Sequence, residues 1–175
     1  MAAPHLTLLT SVDWHDYELL DSGDLKKLER FGKFRFIRPE PQAMWQPRLD
    51  AGAWLADGVF QPDKNDPKNN ESGGWNLSKN VPDCWQMQYQ KLRFLARPTP
   101  FRHLGFFPEQ AAHWNWCAEK IHKFQQRHNR PPRILNLFAY SGLASLHAAS
   151  AGAEVTHVDA SKKAIAQAFE NRDIC

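Results

Sequence analysis

Two positions late in this 175-residue chain could share a chemical task. Gly142 sits in the turn after Ile134-Leu135-Asn136-Leu137-Phe138-Ala139, and Asp159 follows Val155-Thr156-His157-Val158. A glycine where a strand turns into a helix lets a ligand approach the backbone, and the helix start offers N–H groups without partners. A carboxylate at the tip of the next strand can accept hydrogen bonds from ribose hydroxyls. Asp159 lies 17 positions after Gly142, near the spacing of about 20 found in nucleotide-binding sheets. The pattern points to a nucleoside site. The glycine fingerprint GxGxxG is absent, however, because Phe138 and Tyr140 fill its first two glycine positions. Bulky residues there leave little room for a pyrophosphate, which argues against NAD or FAD and for a ligand without phosphates.

The elements that must hold these residues follow from the pattern of the last 45 positions. Residues 134–139 form a short, mostly apolar run, as expected of a strand buried on both faces of a parallel sheet. Ser141-Gly142 is a turn, 143–151 is an alanine-rich helix, and Gly152 stops it in the C′ role. The strand 155–158 ends at Asp159. Ser161 is a good N-cap for a helix whose Ala164, Ile165, Ala168 and Phe169 form an apolar stripe. Strand–helix–strand–helix is the opening of a doubly wound α/β sheet. Two strands cannot bury the faces of such a sheet, so the chain reads as the front part of a longer, truncated one.

Upstream, Pro98-Thr99-Pro100 is a stiff connector. Pro108 suits the first turn of a helix in which Ala111, Trp114, Cys117, Ala118, Ile121 and Phe124 make one apolar face, ending near Asn129. The first hundred residues read as β-rich. Strands are expected at 85–90, with Trp85, Met87 and Tyr89 on one face, and at 34–38 before Pro39. Two more are expected at 17–20 and 27–31, around a turn at Asp21-Ser22-Gly23-Asp24. Residues 61–76 read as a long exposed loop. The expected divisions are a β-rich domain over 1–97, a connector and amphipathic helix over 98–130, and the first half of a Rossmann-like domain over 131–175.

These residues carry a resemblance. Asn136-Leu137-Phe138-Ala139-Tyr140-Ser141-Gly142 resembles motif I of class I S-adenosylmethionine-dependent methyltransferases, in the NxFxYxG form of RNA methyltransferases. His157-Val158-Asp159-Ala160-Ser161-Lys162-Lys163-Ala164 is similar to motif II. Gly105-Phe106-Phe107-Pro108-Glu109-Gln110 resembles the GFFLDQR element of the cytosine carbon-five methyltransferases of large-subunit ribosomal RNA, with Ala111 in place of its arginine. The segment from Leu19 to Ala43 looks like the β-rich front of a related subgroup. The resemblance implies a methyltransferase with S-adenosylmethionine as cofactor and RNA, ribosomal RNA above all, as substrate. It implies that Asp159 binds the cofactor's ribose, that the turn of Tyr140, Ser141 and Gly142 faces its methionine part, and that Phe138 lines the pocket. Asn136 takes the place of the usual motif I acid, Gln110 reaches the polar end, and Lys162 lies beside the adenine. The catalytic residues are expected beyond Cys175.

Other classes fare less well on composition. Apolar residues make up 42% and charged residues 23%, within the soluble globular range. No apolar run reaches the roughly 18 residues that span a bilayer, and the first residues lack a secretory pattern. Cys84, Cys117 and Cys175 form no CxxC pair, and His147 and His157 have no ligand spacing, so neither a disulfide framework nor a metal is expected. A reducing cytoplasm is the expected home. All three thiols read as structural, with Cys117 and Cys175 facing the core. Among the seven tryptophans, Trp85 and Trp114 fall on core faces, whereas Trp116 and Trp75 are expected to be exposed. Residues 120–133 hold Lys120, Lys123, Arg127, Arg130 and Arg133 with no acid. That segment could attract phosphate, or it could be a solvated helix end whose cations suit the dipole. Two alternatives stand beside the methyltransferase: a nicotinamide-dependent oxidoreductase, and a non-catalytic nucleic-acid-binding module.

Overall fold

A computed structural model describes residues 8–10, 14–63 and 72–175. Two compact units emerge, Trp14–Phe106 and Phe107–Arg172. The first holds strands β1 (Tyr17–Gly23), β2 (Lys26–Phe31), β3 (Phe34–Pro39), β4 (Gly58–Pro62) and β5 (Gly73–Leu77) in one sheet, plus a hairpin of β6 (Trp85–Tyr89) and β7 (Leu92–Ala96). The sheet order follows the chain, and every pairing is antiparallel except β3 with β4.

Aromatic packing supplies the core of this unit. Phe31, Phe36 and Phe94 are fully buried, with Leu28, Met87, Tyr89 and Phe106 around them. The Phe36 ring stacks on Trp85 at 5.6 Å and meets Trp75 edge-on. One charged pair enters this core. Arg38 donates from Nε and Nη2 to the two oxygens of Glu29, each at 2.6 Å, and Tyr17 donates its hydroxyl to the same carboxylate. The remaining Arg38 amine reaches the carbonyl of Arg102 at 2.9 Å. Bidentate geometry and extra partners are what make a buried pair tolerable.

Several expectations for this unit are corrected. The first turn is Asp24-Leu25, not Asp21 to Asp24, and both residues have left-handed φ angles of 48° and 61°, as a two-residue hairpin of primed type requires. Asp21 stays in the strand because its carboxylate has other work: it accepts from the backbone N–H of Ser22, Arg48 and Leu49 and from the Trp54 indole. Those four bonds hold its pKa below the ordinary 3.8. The supposed loop 61–76 is shorter, since Gln61 and Pro62 end β4 and Gly73 to Asn76 belong to β5; residues 64–71 of it lie outside those described. Trp75 is half-buried rather than exposed, its indole N–H bound to the Thr99 carbonyl at 2.8 Å.

The second unit is mixed α/β. A one-turn 3-10 segment at Pro108–Gln110 leads into α1 (Ala111–His128), followed by β8 (Arg133–Leu137), α2 (Leu143–Ser150), β9 (Glu154–Val158) and α3 (Lys162–Ile174). Ala111, Trp114 and Ile121 are buried on one face of α1, and Asn129 closes it with a left-handed C-cap. β8 and β9 pair in parallel across α2. Ser161 caps α3 by accepting the Ala164 N–H. Gly152 takes φ +93° just after α2.

β8 is not buried on both faces. Ile134 and Asn136 are half-buried, whereas Leu135 is 61% and Leu137 54% exposed, and Val158 of β9 shares their alternation. In a strand successive side chains point to opposite faces, and only one face here is covered. The thiols also differ from expectation: Cys84 and Cys175 are exposed, and Cys117 is half-buried, its pKa raised by desolvation.

Candidate functional site

At the tips of β8 and β9 the chain forms a compact turn-and-carboxylate arrangement. Asp159 follows β9 directly, and each of its oxygens accepts one backbone N–H at 2.8 Å. One comes from Ser161, two residues on. The other comes from Tyr140, beyond β8. The carboxylate thus ties the two strand tips together. The Ser161 and Tyr140 amides hold the Asp159 pKa below the ordinary 3.8 against an opposing desolvation, with a lesser contribution from His157. An ionised carboxylate with one N–H on each oxygen keeps accepting capacity on both.

The turn itself is strained. Phe138 and Tyr140 both lie in the left-handed region, at φ 54° and 49°, and Gly142 follows at 86°. Ala139 donates to the Val158 carbonyl, which sets the turn against β9. Phe138 points its ring outward and is 92% exposed. Tyr140 is half-buried, its ring 5.8 Å from that of Phe107. Ser141 is buried, and its carbonyl accepts from the amide of Asn171, which is wholly enclosed on α3.

Gly142 has a packing role besides the one expected. A Cβ there would stand 3.0 Å from the Cβ of Ala168 on α3. Close helix packing and a positive φ both favour glycine. The structure therefore brings Phe138, Tyr140, Ser141, Gly142 and Asp159 to one place. Lys162 is nearby in sequence, as the exposed first residue of α3. Asn136 looks elsewhere: its amide donates to Ser145 Oγ, which lies 3.0 Å from His157 Nδ1. Gln110 is exposed, with its side-chain oxygen 3.1 Å from His113 Nδ1.

Asn171 was not foreseen. Its signal is faint but present: it continues the spacing of Ala164 and Ala168 along the buried face of α3, where a polar residue must have a bonding partner. A separate groove of about 450 Å³ lies between α2, β9 and α3, lined by Gly142, Leu146, His157, Ile165 and Phe169 among others. Asp159 is not part of it. The buried Nε2 of His157 has no hydrogen-bond partner among the described residues. Among the described residues no group of three or more His, Cys, Asp or Glu could hold a metal ion, and no helix is long and apolar enough to cross a membrane.

No family model matches the chain, and no curated protein does. Solved structures do. A SAM-dependent methyltransferase from Agrobacterium tumefaciens is 43% identical over 97% of this chain, with a TM-score of 0.84. This chain spans 52% of that protein's length. A candidate SAM-dependent methyltransferase from Streptococcus mutans shares the fold at 15% identity, covering 90% of this chain and 42% of its own, with a TM-score of 0.63. A candidate methyltransferase solved in complex with SAH matches at 16% identity, covering 90% of this chain and 42% of its own, with the same TM-score.

Proposed function

The chain is a relative of S-adenosylmethionine-dependent methyltransferases, and from that premise we propose that it forms the cofactor-binding part of a class I enzyme acting on RNA. In this reading β8 and β9 open a doubly wound sheet, with the β-rich residues 1–97 and the connector over 98–130 ahead of it. The single observation that carries the proposal is the carboxylate of Asp159, fixed at the strand tips by Tyr140 and Ser161 with its outer lone pairs free for two ribose hydroxyls.

The residues fit such a nucleoside. Phe138 and Tyr140 crowd the turn where a phosphate-binding loop needs glycines, so a ligand without phosphates suits it better than a dinucleotide. The exposed ring of Phe138, two residues before the Tyr140 amide that binds the carboxylate, offers apolar surface to a ligand. When bound, S-adenosylmethionine supplies a methyl group activated by its sulfonium. The work of this chain is orientation: Asp159 grips the sugar, and the braced turn keeps that grip at a fixed distance from β8. Lys162 borders the base side of the carboxylate in sequence. Asn136 and Gln110 fit the assignment less well, because their side chains are engaged elsewhere. Methyl transfer, an RNA acceptor and the catalytic residues belong to the whole enzyme and are proposed for it.

Titration calorimetry with S-adenosylhomocysteine tests the reading. Binding by the wild-type chain, with affinity about tenfold or more weaker in Asp159→Ala, is the expected result; a tenfold change corresponds to about 1.4 kcal/mol of lost interaction. Binding of NADH in place of S-adenosylhomocysteine would overturn it in favour of an oxidoreductase.

A further inference from the structure

The basic segment noted in the sequence becomes a surface once α1 is in place. Trp116, Lys120, Lys123 and Arg127 are spaced by four, three and four residues, which aligns them along one line of the helix. All four are exposed, Trp116 by 48%, and the line runs opposite the buried face of Trp114 and Ile121. Eleven residues of helix make it about 16 Å long. Arg130 follows the Asn129 cap and is exposed.

Two features set this stripe apart from an ordinary solvated helix end. First, none of Lys120, Lys123, Arg127 or Arg130 forms an ion pair among the described residues, whereas Arg133 lies 3.9 Å from Glu154. Glu119, exposed four residues before Lys123, is the one acid beside the stripe, and it closes no ion pair with these cations. Second, the cations alternate with rings. Lys120 Nζ stands 5.1 Å from the Trp116 centroid, Arg130 Cζ stands 5.2 Å from Phe124, and Phe124 lies 4.3 Å from the His128 ring. Dipole stabilisation alone explains cations in the last turn, but its reach is about one turn. Lys120 and Lys123 sit further back, with Lys120 beside the exposed indole of Trp116.

We propose that this face of α1 docks the phosphate backbone of single-stranded RNA, with Lys120, Lys123 and Arg127 on successive phosphates and Trp116 against a base. Cations tracking a backbone beside an aromatic stacking surface are the means by which single strands are held without sequence preference. The surface is distinct from the Asp159 tip; only the choice of RNA rests on the function proposed above. An acidic protein would be served by the charges but would leave the indole idle.

Fluorescence anisotropy of a labelled oligouridylate of about 12 nucleotides, titrated with the full chain, reads the interaction. Three phosphate contacts predict a slope of log affinity against log salt of about −2. Lys120→Gln/Lys123→Gln/Arg127→Gln should weaken binding about tenfold or more and flatten that slope toward zero. Lys120→Arg/Lys123→Arg, which keeps the charge, should retain it. An unchanged affinity in the triple glutamine variant, with an unchanged melting temperature, would overturn the proposal. So would displacement of the RNA by polyglutamate of matched charge, which would assign the face to an acidic protein. S-adenosylhomocysteine titration of the same triple variant should match wild type. RNA binding that depends on these cations in a chain that never binds S-adenosylhomocysteine would sink the cofactor reading and leave this surface standing.

Discussion

The two units bury their strands in different ways. In the first, β1 to β7 converge on their own aromatic core, and the buried Glu29–Arg38 pair sits inside it with each guanidinium nitrogen engaged. In the second, β8 and β9 are covered on one face by helices, while Leu135, Leu137 and Val158 remain open on the other. Order at the β8 and β9 tips comes less from apolar burial than from backbone bonds onto one carboxylate and from an asparagine amide on one carbonyl. The contrast teaches that side-chain type alone does not rank importance: a leucine in β8 carries less of the fold than an aspartate at its neighbour's end.

Substitutions can break or sharpen that contrast. The largest effect belongs to the aromatic core, where Phe36→Ala should cost about 3–5 kcal/mol in chemical denaturation, through lost transfer energy and a cavity. Glu29→Ala should cost nearly as much, about 3 kcal/mol, because it leaves Arg38 charged and buried; a loss under about 1 kcal/mol would show that water reaches the pair. Gly142→Ala comes next. Its positive φ and the contact with Ala168 predict about 1–2 kcal/mol in the same assay. A neutral result there would mean that α3 yields easily.

The carboxylate brace predicts a pH effect of definite sign. Because the folded pKa of Asp159 lies below the ordinary 3.8, its contribution is complete above that value and is lost as pH falls through the lower, folded one. The amide resonances of Tyr140 and Ser161 should therefore titrate together with a midpoint below 3.8. A midpoint at or above it would mean that the bonds are not made. The smallest effect belongs to the open face: Leu135→Thr should change stability by less than about 0.5 kcal/mol. A cost like that of Phe36→Ala would erase the distinction between the units.

Much of the second unit was legible in the sequence because its punctuation is local. Pro108, Asn129, Gly152 and Ser161 mark helix ends through their own backbone preferences, and the spacing of Ala111, Trp114 and Ile121 marks a face. The turn at Gly142 and the strand end at Asp159 were legible for the same reason. What sequence could not supply is the identity of a partner far along the chain. Asp21 has the composition of a turn residue, yet Leu49 and Trp54, about thirty residues on, recruit its oxygens into a strand position. β4 and β7 went unseen because each is short and flanked by Pro or Lys, and only register against Trp75 or Met87 makes them strands. Leu135 and Leu137 were read as buried because an apolar run says nothing about how many faces a sheet has covered. The packing of Gly142 is not legible in the sequence because Ala168, the neighbour it meets, comes 26 residues later.

Phe138 holds a left-handed backbone with a full aromatic side chain, a combination that few residues tolerate. Such a turn is a loaded spring, kept cocked by the bonds that the next two residues, Ala139 and Tyr140, donate to Val158 and Asp159. Glycine at that position would let the spring go slack. The fold would rest easier, and whatever the tip is shaped to seize would find its jaws no longer set.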